Sequence, residues 1–247
     1  MKSIISLIAV LSLMSAQAQT YVGAKGAAMN TWILNKNIFD SGDELDYKGS
    51  FAGGFSVAGL HMLGGQSGVA LNLGVSNLKQ QTQGKAGNTE YENESKMKYT
   101  DVGVFYTYLS EGGLFIEVGP QFSFRNETIT ETQNKGDSNE QEFSIKDDYV
   151  NDMIVYGVFG IGGMINLNEE IKLSLGLRFG YGLNDMTTEL SDSQIAELDI
   201  DIDRSEFTLY SQVLSIDDTT FELSSDYMST HPAFASFNLG LYYCFGK

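Results

Sequence analysis

The chain has 247 residues, enough for one all-β domain or two small ones. Its net charge is −17, and no basic patch stands ready to meet phosphates, so nucleic acid is excluded as a partner. Cys244 is the single cysteine, which rules out an intramolecular disulfide, and a count of only two prolines suits a protein built of paired strands.

Residues 1–18 read as a secretory signal peptide. Lys2 precedes an apolar run from Ile4 to Leu11, and Ala16-Gln17-Ala18 forms a small-residue cleavage site. Cleavage removes Lys2 and gives a mature charge of −17 − 1 = −18. Gln19 would then come first; a lipid anchor needs Cys there, so none is expected. No later apolar run approaches the roughly 20 residues of a membrane helix. Such a chain can cross a membrane only as closed β-structure, which satisfies every backbone group.

Residues 21–30 form the weakest strand, with Val22, Ala24, Gly26 and Ala28 opposite Gly23, Lys25, Ala27 and Met29. Residues 33–47 are polar and read as a loop. Residues 50–60 set Phe51, Phe55 and Val57 against Ala52, Gly54, Ser56 and Ala58. Gly64-Gly65 makes a tight turn into residues 67–78, where Val69, Leu71, Leu73 and Val75 oppose Gly68, Ala70, Asn72 and Gly74. Residues 79–97 read as a polar loop. Residues 99–109 alternate Val102, Val104, Tyr106 and Tyr108 with Asp101, Gly103, Phe105 and Thr107. After a Gly112-Gly113 turn, residues 114–125 alternate Ile116, Val118, Phe122 and Phe124 with Glu117, Gly119, Gln121 and Ser123. Pro120 sits on the apolar side of that strand and removes one ladder bond.

Residues 126–148 read as another loop and residues 153–167 as a strand. A short turn at Asn168 leads to the clearest strand, residues 171–184. There Ile171, Leu173, Leu175, Leu177, Phe179 and Tyr181 oppose Lys172, Ser174, Gly176, Arg178, Gly180 and Gly182. Residues 186–230 are the longest loop, and residues 236–245 close the chain. Side chains alternate across a strand, so each of these eight segments has one greasy face and one small or polar face. The connections alternate long and short, as in transmembrane barrels.

The greasy face must point outward. A soluble barrel fills its interior with large apolar side chains and charges its outside. Here the second face is glycine, alanine, serine and asparagine, including Gly68, Gly74, Gly103, Gly119, Gly176, Gly180 and Gly240. An eight-stranded barrel has room inside only for packed side chains, so this face suits the lumen and the apolar face suits lipid. The expected fold is an all-β, eight-stranded antiparallel up-and-down transmembrane β-barrel over residues 19–247. Short periplasmic turns, long extracellular loops and periplasmic termini complete it.

The last segment carries a motif. Asn238, Gly240, Tyr243 and Phe245 resemble the C-terminal β-signal read by the outer-membrane barrel assembly machinery, with Gly246 and Lys247 following the final aromatic. The whole mature chain resembles small outer-membrane barrels of the OmpX and OmpA-transmembrane-domain type. The opening Tyr21-Val-Gly-Ala-Lys25-Gly-Ala, with a lysine on the inner face, is similar to PorT-like barrels. The resemblance implies an outer-membrane location, a lipid environment and the assembly machinery as partner during biogenesis.

Lys25, Asp101, Glu117, Arg125, Lys172 and Arg178 fall on the inward face. Buried charges must be paired and hydrogen-bonded, so a satisfied network is expected rather than an ion path. Counting outward from the turns at roughly 3.3 Å per residue predicts two layers, Lys25 with Glu117 and Arg178 with Asp101. These four would plug the narrow lumen.

Other constellations carry less. Asp199, Asp201 and Asp203 share one face of an extended segment, but Arg204 and Tyr210 stand where a calcium loop needs Gly and Glu. The segment reads as a solvated acidic loop with its own hairpin near Leu198 to Leu209, and no metal or cofactor is assigned. Ser229 and His231, with Asp226 nearby, could form a dyad, yet nothing around them makes an esterase signature, so no enzyme is expected. Cys244 reads as lumen packing and Trp32 as an interface anchor. The sequence thus describes a monomeric barrel acting through four acidic loops as a structural or surface-interaction protein. A small porin-like channel and a PorT-like component of a secretion or gliding apparatus are the alternatives.

Overall fold

The structure is a computed structural model, described for residues 19–35, 45–86, 89–127, 130–135, 141–144, 150–188, 215–217, 220–222 and 229–245. The expected signal peptide, the acidic run at Asp199 to Asp203, the hairpin near Leu198 to Leu209 and Asp226 lie outside these residues.

Eight strands carry the outward apolar stripes: β1 (Thr20–Leu34), β3 (Phe51–Gly64), β4 (Ser67–Ala86), β5 (Thr89–Leu109), β6 (Leu114–Arg125), β9 (Met153–Asn166), β10 (Ile171–Gly182) and β13 (His231–Phe245). Each pairs antiparallel with its neighbours in that order. Pairing of β13 back onto β1, from Thr20–Phe245 to Leu34–His231, closes the barrel. Five short strands complete the described structure: β2 (Leu45–Lys48), β7 (Thr130–Lys135), β8 (Gln141–Ser144), β11 (Ser215–Asp217) and β12 (Thr220–Glu222).

Burial follows the alternation read from the sequence. Outward Leu71, Leu73, Val75, Leu177, Phe179, Leu239 and Leu241 are each about half exposed, while Lys25, Asn72, Phe105, Glu117 and Arg178 are buried. A soluble fold would not leave such a belt in water; it matches a hydrocarbon solvent.

Several strands run past their expected ends. Residues 79–97, read as a loop, instead extend β4 and β5, which stay paired out to Ala86–Thr89. Hydrophobic alternation marks only the lipid-facing length. Beyond it the ladder is held by backbone bonds and charged side chains. Lys79 and Lys96 face each other directly, an unfavourable placement. Glu94 relieves it, lying 2.5 Å from both ammonium groups and accepting from Gln81 Nε2 at 2.5 Å. Partial burial pushes the Glu94 carboxyl up, but these donors outweigh it and hold it below the ordinary range. The loops expected at 33–47 and 126–148 also contain strands: β2 pairs with β4, and β7 with β5 and β8. Within 186–230, β11 and β12 pair as a hairpin.

Pro120 is accommodated in the ladder. It points outward, and the β5–β6 register is unchanged on either side, from Gly103–Gln121 to Tyr106–Val118, with the rungs between them missing. Proline offers no N–H there. Gly119 allows the strands to stay close, since a Cβ at that position would lie 2.1 Å from the Val104 carbonyl oxygen.

Candidate functional site

The inward face converges on one buried ion pair. Glu117 on β6 and Arg178 on β10 both stand opposite Gly160 of the intervening β9. A glycine there leaves the space in which the two side chains meet; a Cβ on it would lie 2.6 Å from Glu117 Cγ and Oε1. Arg178 Nε donates to Glu117 Oε1. Its two Nη groups donate to the Asn72 side-chain oxygen at 2.7 Å, the amide orientation the network requires. The guanidinium lies 4.7 Å over the Phe105 ring, which is fully buried. The cation is therefore held by charge, dipole and ring together.

The predicted layers are corrected here. Arg178 pairs with Glu117, not with Asp101, and Lys25 does not form the expected ion pair with Glu117. The reason is the tilt of the strands. Neighbours across the ladder, not residues at equal counts from the turns, share a level. Register places Asp101 between Gly74 and Ser123, and its Oδ1 accepts from Ser123 Oγ at 2.5 Å. Lys25 stands opposite Ser56 and Gly240, with its ammonium 5.7 Å from the Tyr242 ring centre.

The other two inward charges lie toward opposite ends. Lys172 lies over the Tyr21 ring at 5.1 Å. Arg125 Nη2 reaches Asp152 Oδ1 at 2.7 Å. Apolar side chains cross the lumen on both sides of the ion pair. Tyr21, Leu60, Met62 and Tyr242 lie toward the short turns, and Ile33, Met97, Ile154, Tyr156 and Phe234 toward the long connections. Cys244 packs against this core.

Register analysis could have found the pair, because a glycine between a glutamate and an arginine on adjacent inward positions is the signal. It predicts that Gly160→Ala will destabilise the barrel by about 1–3 kcal/mol through overpacking. The urea midpoint of protein folded in micelles measures this, and an unchanged midpoint would show that the pair does not need the glycine.

Ser229 and His231 do meet. Ser229 Oγ lies 2.8 Å from His231 Nε2, and His231 Nδ1 lies 2.9 Å from the Gly182 carbonyl oxygen. Tyr181 stacks on the imidazole at 5.4 Å. The N–H of Thr230 between them donates to Asp185 Oδ1 at 2.8 Å, so it is engaged rather than turned to a substrate oxygen. The assembly-motif residues occupy both faces of β13: Gly240 is buried beside Lys25, Asn238 Nδ2 donates to Ser236 Oγ at 2.9 Å, and Tyr243 and Phe245 form an outward edge-to-face pair at 4.7 Å.

A closed barrel with an apolar exterior and a charged, packed interior is a transmembrane β-barrel. The model of the outer membrane protein beta-barrel domain matches residues 16–188, well over half the chain. The protein belongs to that family, which indicates an outer-membrane location. Among solved structures it is similar to Ail, the attachment invasion locus protein of Yersinia pestis, at 9% identity and a TM-score of 0.37, covering 93% of this chain and 99% of that one. Neisserial surface protein A matches at 8% identity and a TM-score of 0.34, covering 90% and 95%. The outer membrane protease OmpT of Escherichia coli matches at 8% and 0.37, covering 94% and 97%. No curated protein matches.

Proposed function

We propose that the barrel is a monomeric anchor whose long connections act at the cell surface, and that it is neither a conducting pore nor an enzyme. The observation carrying this reading is the lumen. Arg178, Glu117 and Asn72 meet across it on the face of Phe105, with apolar layers above and below. An ion would have to displace a buried, hydrogen-bonded pair. The unspanned ends then hold the chemistry, and the connections are acidic: residues 189–214 contain Glu189, Asp192, Glu197, Asp199, Asp201, Asp203 and Glu206 against a single Arg204. Such a surface favours cationic partners. The short turns and both ends of the barrel chain lie together, which supports periplasmic termini. A place in a secretion or gliding apparatus rests on residues 21–27 alone.

In planar bilayers the purified protein should show no lasting open state. A stable conductance level would overturn the anchor reading and favour the porin-like channel. An epitope inserted in residues 36–44 should be reached by antibody on intact cells, and one at Gly65 should not. The opposite pattern would reverse the orientation.

A further inference from the structure

The lumen is not filled evenly. On the side of β5, β6, β9 and β10 it holds Phe105, Tyr156 and the ion pair, whereas the facing wall of β1, β3 and β4 presents Ala27, Gly54, Ser56 and Gly74. The difference leaves a cavity of about 50 Å³ against that wall, bordered also by Lys25, Arg178 and Asn238. A single water needs roughly 10–15 Å³ on this measure, so the space exceeds one solvent molecule.

Lys25 reaches into this cavity with only 7% of its surface exposed. Its stem lies along Gly240, where a Cβ would come within 3.0 Å of Lys25 Cγ. Among the described residues its ammonium has no hydrogen-bond or ion-pair acceptor within reach; the Tyr242 ring lies 5.7 Å from it, and Glu117 acts on it only from beyond ion-pair distance. Neither nearby carboxylate hydrogen-bonds the ammonium: Glu117 is ion-paired to Arg178, and Asp101, on the far side of the cavity, accepts from Ser123. Buried charges are held by counter-charges, and an ammonium has three donors to place.

We infer that the cavity is a binding site for a small monovalent anion of halide or formate size, held by Lys25. The guanidinium of Arg178 also lines the cavity, and the Ser56 hydroxyl offers a neutral donor on the rim. Glycine and alanine on the wall leave the space, about 50 Å³, that favours a small anion. The site is distinct from a conduction path, because apolar layers bound the lumen above and below it.

Bromide is the probe. Crystals of the full barrel soaked in sodium bromide should show an anomalous peak in contact with Lys25 Nζ. In micelles at constant ionic strength, exchanging gluconate for bromide should raise the thermal midpoint. Lys25→Met should increase the half-effective bromide concentration by about tenfold or more, the loss of a hydrogen bond to a charged group. Ala27→Leu keeps the lysine and fills the space, and it should abolish both the peak and the midpoint shift. That second variant decides the matter if Lys25→Met does not fold. Water alone at Lys25 in bromide-soaked crystals, or a bromide effect that survives Ala27→Leu, would overturn the assignment.

Discussion

Glu117→Leu is expected to cost the folded barrel about 3–5 kcal/mol, because it strands a buried guanidinium without its counter-charge. The neighbourhood makes the loss worse than that of a single charge, since Lys25 lines the same part of the lumen and would then face Arg178 without an intervening carboxylate. Arg178→Met should cost less, as Glu117 keeps Lys25 for partial balance. The double variant Glu117→Leu with Arg178→Met should recover much of the stability, because well-packed apolar groups often replace a buried pair at little loss. Urea titration of barrel folded in micelles, read by heat-modifiable gel mobility, orders the four proteins. If Glu117→Leu matches the parent, water screens the pair, and the plugged lumen is wrong.

The second large effect is expected in cells rather than in micelles. Phe245 is outward, about half exposed, and sits at the end of the last strand against Tyr243. A carboxylate near the membrane interface is cheap, roughly 0–1 kcal/mol, so Phe245→Asp should barely change stability once folded. Recognition by the assembly machinery is another matter if the terminal aromatic is the feature read. Phe245→Asp should then leave the protein unfolded in the periplasm, with the folded outer-membrane form reduced about tenfold or more, beyond what that small stability change can explain. Comparing refolded protein with envelope fractions separates the two effects. Normal outer-membrane levels of the folded variant would mean that Phe245 is an ordinary lipid-facing side chain.

Much of this was legible in the sequence because lipid imposes a simple rule. Every second residue of Leu173 to Tyr181 or Val69 to Val75 faces hydrocarbon, so alternation gives strand, face and approximate length together. The rule is silent where lipid ends. Lys79, Gln81 and Glu94 alternate in charge and position rather than in greasiness, so the extended β4–β5 hairpin reads as a loop. The lumen charges show the complementary gap. Their inward direction follows from parity, but their partners depend on tilt and register. Counting from the turns set Arg178 beside Asp101, whereas the ladder brings it across Gly160 to Glu117. Lys25 was legible as an inward cation, but the space in front of it depends on which small residues from three strands come to one level.

Closure by the chain's two ends has a consequence for the order of events during synthesis. Thr20 pairs with Phe245, a separation of 245 − 20 = 225 positions, and all fifteen residues of β1 wait for β13. Pairing across so much chain is intrinsically slow, and what precedes it is exposed to aggregation. Until the final strand arrives, the polypeptide is an open ribbon with two bare edges and a greasy face turned to water. The timing of barrel closure is therefore set by β13. A truncation that removes β13 should therefore remain unfolded rather than close as a smaller barrel.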